Sequence, residues 1–273
     1  MDCVIDASGT YGCPNFAGPG KLPAINERTL RMTASSLISY RVPNERDEYL
    51  AGKRILLIGK GHSAATSAVF LGQLKKRYPE TQLFWVIKQS VDHLPYCSNP
   101  NDPLEQRRHL ADEANRIYAD GVTFNEIYTN TVVTQFVLTS SSTAVDVTLE
   151  ASSSRLLRNI DYVIVNTGLQ PDRSLYANLN VHECPLTKGP IALAAKLLSS
   201  IVNDCLQQIS HGANSLMTTE NNFFIVGNKS YGTHTNFLMK IGFEQVDLVF
   251  QLINASRKVS MDVTENCSPV HGT

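Results

Sequence analysis

The stretch Arg54-Ile55-Leu56-Leu57-Ile58-Gly59-Lys60-Gly61-His62-Ser63-Ala64-Ala65 restricts what this chain can fold into more than any other. The apolar run Ile55 to Ile58 reads as a buried parallel strand. Gly59 breaks it, and Ser63 to Leu74 then has the composition of a helix. In a strand, glycine turn and helix of this kind each small residue has a task. Gly59 permits the tight turn, Gly61 lets a pyrophosphate approach the backbone, and Ala64 lets the helix pack closely on the strand. The amides at the helix start, next to His62 and Ser63, then face the phosphates together with the positive end of the helix dipole. The G-x-G-x-x-A spacing in this context predicts a dinucleotide site at Gly59, Gly61, His62, Ser63 and Ala64. A plain strand-to-helix turn is the competing reading.

The following strand speaks to which dinucleotide. Leu83-Phe84-Trp85-Val86-Ile87 ends in Lys88-Gln89-Ser90, about 20 residues past the glycines, where an acidic residue ordinarily receives the ribose 2′-hydroxyl of NAD. A carboxylate there would repel a 2′-phosphate, whereas Lys88 offers an ammonium. NADPH is therefore the expected cofactor, against the alternative that Lys88 is a solvated strand-end lysine.

The 273 residues carry a net charge of -1, 42% hydrophobic and 18% charged residues. That balance describes a globular protein of one large or two modest domains. It provides no electrostatic footprint for nucleic acid and no basic run for a membrane surface, so neither partner is expected. The six cysteines, Cys3, Cys13, Cys97, Cys184, Cys205 and Cys267, form no C-x-x-C pair, and the seven histidines form no metal-spaced pair, so no metal site is predicted. His234, behind a late glycine-containing turn, is a candidate against the simpler reading of a solvated loop residue. The start of the chain lacks the pattern of a secretory signal, which makes a cytoplasmic location the expectation.

Taken in order, Cys3-Val4-Ile5-Asp6 is a short strand running into Ala7-Ser8-Gly9-Thr10. So short a strand must join a sheet made by later residues. Tyr11 to Asn26 has loop composition, with Gly12, Gly18, Gly20, Pro14, Pro19 and Pro23. Glu48 to Lys53 reads as the entry to a new unit. Helices are predicted at 63–78, 103–119, 190–206 and 236–253, and strands at 122–128, 131–139, 144–150, 162–167 and 223–226, the pair around Ser140-Ser141-Ser142 forming a hairpin. Residues from Arg257 onward read as a frayed tail.

The strand ending in Ala7-Ser8-Gly9-Thr10, the Gly59-Lys60-Gly61-His62-Ser63-Ala64 fingerprint, the strand ending in Thr167-Gly168 and the late strand ending in Gly227-Asn228 before a long helix carry a family resemblance. Over about Val4 to Ile253 the chain resembles flavoproteins with two dinucleotide-binding domains, the flavin-dependent monooxygenase-like and pyridine-nucleotide oxidoreductase group. The resemblance implies an α/β fold in which a Rossmann-like NADPH-binding domain with an antiparallel β insert is packed on the partial remainder of a second, FAD-type domain. It places the NADPH domain at 51–165, FAD-type segments at 1–50 and 166–256, and a tail at 257–273. It implies that Lys88 meets the 2′-phosphate of NADPH and that Gly168, Gly227 and Asn228 lie near FAD. Family members usually have Asp where Asn228 stands, and they open with a further strand-glycine-helix turn for FAD, ahead of the strand at which this chain starts. The expectation is a truncated product, a fragment or one part of a split protein, with apolar sheet edge and helix surface left exposed for a second polypeptide or a second copy.

Two functions follow. One is an NADPH-dependent, monooxygenase-like flavoprotein oxidoreductase, passing electrons from NADPH through flavin to oxygen or an organic acceptor. The other is a nucleotide-binding fragment or partner module with an incomplete flavin site and no turnover. The small-molecule substrate and the catalytic residues are not identifiable from the sequence.

Overall fold

The computed structural model describes residues 3–90, 92, 94–200 and 205–265. In chain order the first elements are β1 (Val4–Asp6), α1 (Glu27–Thr33), β2 (Ile38–Ser39), β3 (Arg54–Ile58), α2 (His62–Arg77), β4 (Gln82–Val86) and α3 (Glu105–Ala119). They are followed by β5 (Glu126–Tyr128), β6 (Val132–Leu138), β7 (Val145–Glu150), β8 (Ser154–Ile160), β9 (Tyr162–Val165), α4 (Ile191–Ser199), β10 (Phe223–Ile225) and α5 (Met239–Glu265). The chain divides into two compact units, Pro14–Gly168 and the discontinuous pair Met1–Cys13 with Leu169–Thr273. No helix among the described residues is long and apolar enough to cross a membrane.

The continuous unit is built on a parallel sheet of order β2-β9-β3-β4-β5. After their first residues, Arg54 and Gln82, the central strands β3 and β4 are apolar and buried at every position because both faces are covered. Alternate residues point to opposite sides. Leu56, Ile58, Phe84, Val86, Val163 and Val165 pack with Val133, Phe136, Val147 and Leu149 of the antiparallel sheet β6-β7-β8. Ile55, Leu57, Leu83, Trp85 and Ile164 pack with Ala68, Leu71 and Leu74 of α2 and Ile117 of α3. Helix α2 ends in Lys75, Lys76 and Arg77, cations that suit the negative end of its dipole, and Pro79 follows.

The predicted hairpin is β6 and β7. Its third strand, β8, is absent from the sequence reading. β8 buries only Leu157 and Ile160 and exposes Ser154, Arg155, Leu156, Arg158 and Asn159, so it lacks the alternation that marks a half-buried strand. The domain boundary expected at residue 50 also moves. Residues 14–50 belong to the Rossmann-like unit, where β2 extends the sheet beside β9. Buried Glu27 ties the glycine- and proline-rich loop to that unit: its carboxylate accepts the Ala17 and Ala24 amides and the Tyr40 hydroxyl, each at 2.8 Å. Burial raises the Glu27 pKa in spite of these donors. Loop composition identifies a loop and says nothing of the surface on which it docks.

In the discontinuous unit the short opening strand finds its partner late in the chain. β1 runs parallel to β10, with Val4 opposite Phe223 and Asp6 opposite Ile225. Leu193, Leu197, Phe224, Val226, Tyr231, Ile241 and Val249 form the core beside them. α4 is shorter than the predicted 190–206 helix; residues 201–204 lie outside the described residues. α5 corrects the tail reading, since it continues through Glu265. Arg257 to Glu265 contains no glycine or proline to stop it. On its outer side α5 exposes Met239, Phe243, Val246 and Phe250, at the spacing of one helical stripe.

Candidate functional site

Strand β3 hands the chain through α2 to β4 on one side, while β9 lies on the other. The C-terminal ends of β3 and β9 therefore flank a point where strand order reverses, the place where open α/β sheets form a ligand crevice. The glycine turn sits there. Gly59 has φ +136°, and a Cβ on it would fall 2.2 Å from the Asn166 carbonyl oxygen and 3.5 Å from the Ala64 Cβ. A side chain is excluded by the fold itself.

Gly61 is different. It is the N-cap of α2 in extended conformation, φ -76° and ψ 179°, and a Cβ there would meet nothing within 4 Å. No side chain caps this 16-residue helix, and the amides of its first turn have no intrahelical acceptor. His62 and Ser63 are exposed, and Ala64 is fully buried. The structure thus brings together Gly59, Gly61, His62, Ser63 and Ala64 in one turn whose backbone can receive an anion. Lys88 lies just past the end of the adjacent strand β4, exposed, with Gln89 and Ser90 exposed beside it. The Ser90 hydroxyl donates to Asp92 at 3.0 Å.

Three residues that hold this turn were not read from the sequence. The Trp85 indole N–H donates to the Gly59 carbonyl at 2.8 Å. Asn166 donates its amide to Ile58 at 2.8 Å, and its side chain accepts the Ser67 hydroxyl at 2.5 Å, both residues being buried. The signal available in the sequence was that Trp85 is the chain's lone tryptophan.

Gly168 belongs to the same unit as the turn rather than to the 166–256 segment. It has φ +92°, and its carbonyl accepts the Asn15 amide at 2.9 Å. Gly227 and Asn228 lie in the discontinuous unit at the end of β10, where the Asn228 amide donates to the Thr10 hydroxyl at 2.9 Å. β10 leads into a five-residue 3-10 turn, Gly227–Tyr231, and not into an α-helix.

That turn carries an unpredicted buried ion pair. The Lys229 ammonium donates to Asp6 at 2.6 Å and to the Ser8 hydroxyl at 3.0 Å, and lies 5.1 Å from the Tyr176 ring centroid. Both charged side chains are almost wholly buried. Burial opposes ionisation of Asp6, but hydrogen bonds from Lys229 and from the Ser8 amide and hydroxyl outweigh it and lower its pKa. His234 packs edge-on to Tyr231. Among the described residues its Nδ1 and the Tyr231 hydroxyl are buried without hydrogen-bond partners. His93, His271 and Cys267 lie outside the described residues, as does the side chain of Cys205; Cys3, Cys13, Cys97 and Cys184 form no disulfide. No group of three or more potential metal ligands occurs among the described residues.

No protein-family model and no curated sequence matches the chain. Solved structures do. It is similar to the bacillithiol disulfide reductase Bdr (YpdA) from Bacillus cereus, with a TM-score of 0.63 and 16% identity over 93% of this chain and 62% of that one. It is similar to T. acidophilum thioredoxin reductase, with a TM-score of 0.57 and 18% identity over 92% of this chain and 66% of the other. It is also similar to DfoA, a cadaverine monooxygenase from Erwinia amylovora solved with FAD, with a TM-score of 0.50 and 13% identity over 85% and 56% of the two chains. The chain spans less than two thirds of each. At these identities the likeness establishes the fold alone, the α/β fold that this chain shares with those two reductases and that monooxygenase.

Proposed function

We propose that this chain binds NADPH at the Gly59–Ala64 turn and contributes the nicotinamide-binding part of a flavin-dependent oxidoreductase. The observation that carries this reading is the open space over Gly61 at the uncapped N-terminus of α2, at the strand-order reversal of a parallel sheet. A pyrophosphate fits the donors there: backbone amides and a helix dipole, with no side chain in the way. NADPH bound there would supply hydride chemistry. The chain's own contribution is to hold the phosphates and fix the orientation of the cofactor. Among the described residues Cys3, Cys13, Cys97 and Cys184 are unbridged, which supports a reducing compartment such as the cytosol.

Cofactor choice tests the role of Lys88. Wild-type protein is expected to prefer NADPH to NADH, and Lys88→Glu to abolish or reverse that preference, because one charge-assisted phosphate contact is worth roughly 1.5–3 kcal/mol. Calorimetric titration with both cofactors measures it. Equal wild-type affinities would remove Lys88 from the site.

The residues present do not fit FAD equally well. The described residues of the discontinuous unit offer the loop after β1 and the Gly227–Asn228 turn, but no strand-glycine-helix turn for a second pyrophosphate. Asn228 carries no charge, and its amide is already bonded to Thr10. This favours, as a second reading, a nucleotide-binding module that does not turn over alone. The 273-residue chain purified with excess FAD and then desalted is expected to be colourless. Stoichiometric flavin absorbance would overturn that expectation and support a complete oxidoreductase site.

A further inference from the structure

Both peptide groups flanking Gly59 are held by consecutive residues of one neighbouring strand. The Gly59 amide donates to the Val86 carbonyl at 3.0 Å, and the Gly59 carbonyl accepts the Trp85 indole N–H at 2.8 Å. In a trans peptide the C=O and the next N–H point in opposite directions. With the Gly59 oxygen turned toward Trp85, in the core beneath α2, the Lys60 amide is turned away from that core. We propose that Trp85 is a positioning residue for the dinucleotide turn, fixing the Gly59-Lys60 peptide so that the Lys60 amide is presented toward the phosphates. This rests on reading the turn as an NADPH site.

Glycine at positive φ has wide backbone freedom, so the peptide needs an anchor on its carbonyl side, and the indole is itself immobilised. Its ring stacks on Tyr96 at 6.5 Å and 26°, meets Tyr118 edge-on at 6.2 Å and lies 5.2 Å from Phe124. Tyr96 is held in turn by buried Asn115, which accepts its amide at 3.0 Å and donates to its carbonyl at 2.8 Å. A line of fixed groups therefore runs from α3 to the glycine turn. The plainer reading is that a buried indole needs some acceptor and Gly59 is the nearest. The two differ in what happens to pyrophosphate binding when the N–H is removed without loss of the ring.

The test compares wild type with Trp85→Phe, and with benzothienylalanine at position 85, which keeps the shape of the indole without its N–H, should the phenylalanine variant fail to fold. Two ligands separate the effects: NADPH, and adenosine 2′-monophosphate, which has the adenine and 2′-phosphate but no pyrophosphate. NADPH is expected to bind about tenfold more weakly, the size of one neutral hydrogen bond, with the monophosphate changed by less than about twofold. Equal weakening of both, or of neither, overturns the proposal. Amide hydrogen exchange in the ligand-free protein is the independent arm, expected to be faster in the variant at Gly59, whose amide is held by the Val86 carbonyl, and unchanged in β6 to β8. Wild-type failure to bind either ligand would defeat the NADPH reading alone; unchanged exchange at Gly59 would defeat the role of Trp85.

Discussion

Gly61→Val is expected to leave the chain folded and to abolish NADPH binding, whereas Gly59→Ala is expected to damage the fold itself. The contrast comes from the space around each glycine. At Gly61 the backbone is extended and an added Cβ meets nothing within 4 Å, so valine is expected to be accommodated at little cost to stability. Its branched side chain would stand in the space through which phosphate must reach the amides of α2. At Gly59 a Cβ would fall 2.2 Å from the Asn166 carbonyl, at a φ of +136°. Backbone strain and overpacking together are expected to cost roughly 2–6 kcal/mol. Thermal melts and calorimetry on both variants measure this. Gly61→Val with wild-type affinity would show that the open space is not where the ligand lies, and Gly59→Ala with an unchanged melting temperature would show that β9 can move aside.

Breaking the Asp6–Lys229 pair is expected to be the most destabilising change in the discontinuous unit. Asp6→Ala leaves an ammonium buried beside Ser8 and the Tyr176 ring without its carboxylate, at a cost of about 3–5 kcal/mol. Against a typical total stability of roughly 5–15 kcal/mol this is a large fraction. Replacing both charges, as Asp6→Leu with Lys229→Met, is expected to recover much of the loss, because no unpaired charge then remains. The same pair gives the wild type an acid sensitivity of known sign. The folded-state pKa of Asp6 is lowered, with burial opposing and the Lys229 and Ser8 hydrogen bonds prevailing. Its contribution is therefore fully present above the unfolded carboxylate pKa of about 4 and is lost as pH falls below that through the folded value. Urea unfolding at neutral and acidic pH should show a drop in wild type that is smaller in the double variant. Equal drops in both would assign acid sensitivity to other carboxylates.

The sequence by itself determined the backbone of the site. Ile55 to Ile58, Gly59, Gly61 and the run into α2 are local signals, a burial pattern, two residues without side chains and a helix composition, and each acts within a few residues of where it is written. The same holds for the hairpin of β6 and β7 and for the need of the opening strand to find a partner. What surrounds these elements was settled by contacts between distant residues. Asp6 and Lys229 are separated by 223 positions, and an aspartate ending one strand and a lysine in a later turn give no local sign of each other. Trp85 looks like one more apolar residue in β4 until the register with β3 places its N–H against Gly59. Tyr11 to Asn26 read as loop, and the unit that residues 14–50 join was decided by Glu27 and by the edge of β9. Strand β8 has too little apolar alternation to announce itself and forms because the free edge of β7 offers it a hydrogen-bonding ladder. Local sequence sets φ, ψ and period, whereas the partner of a buried charge, an indole N–H or a strand edge is set by what the folded chain brings within about 3 Å of it.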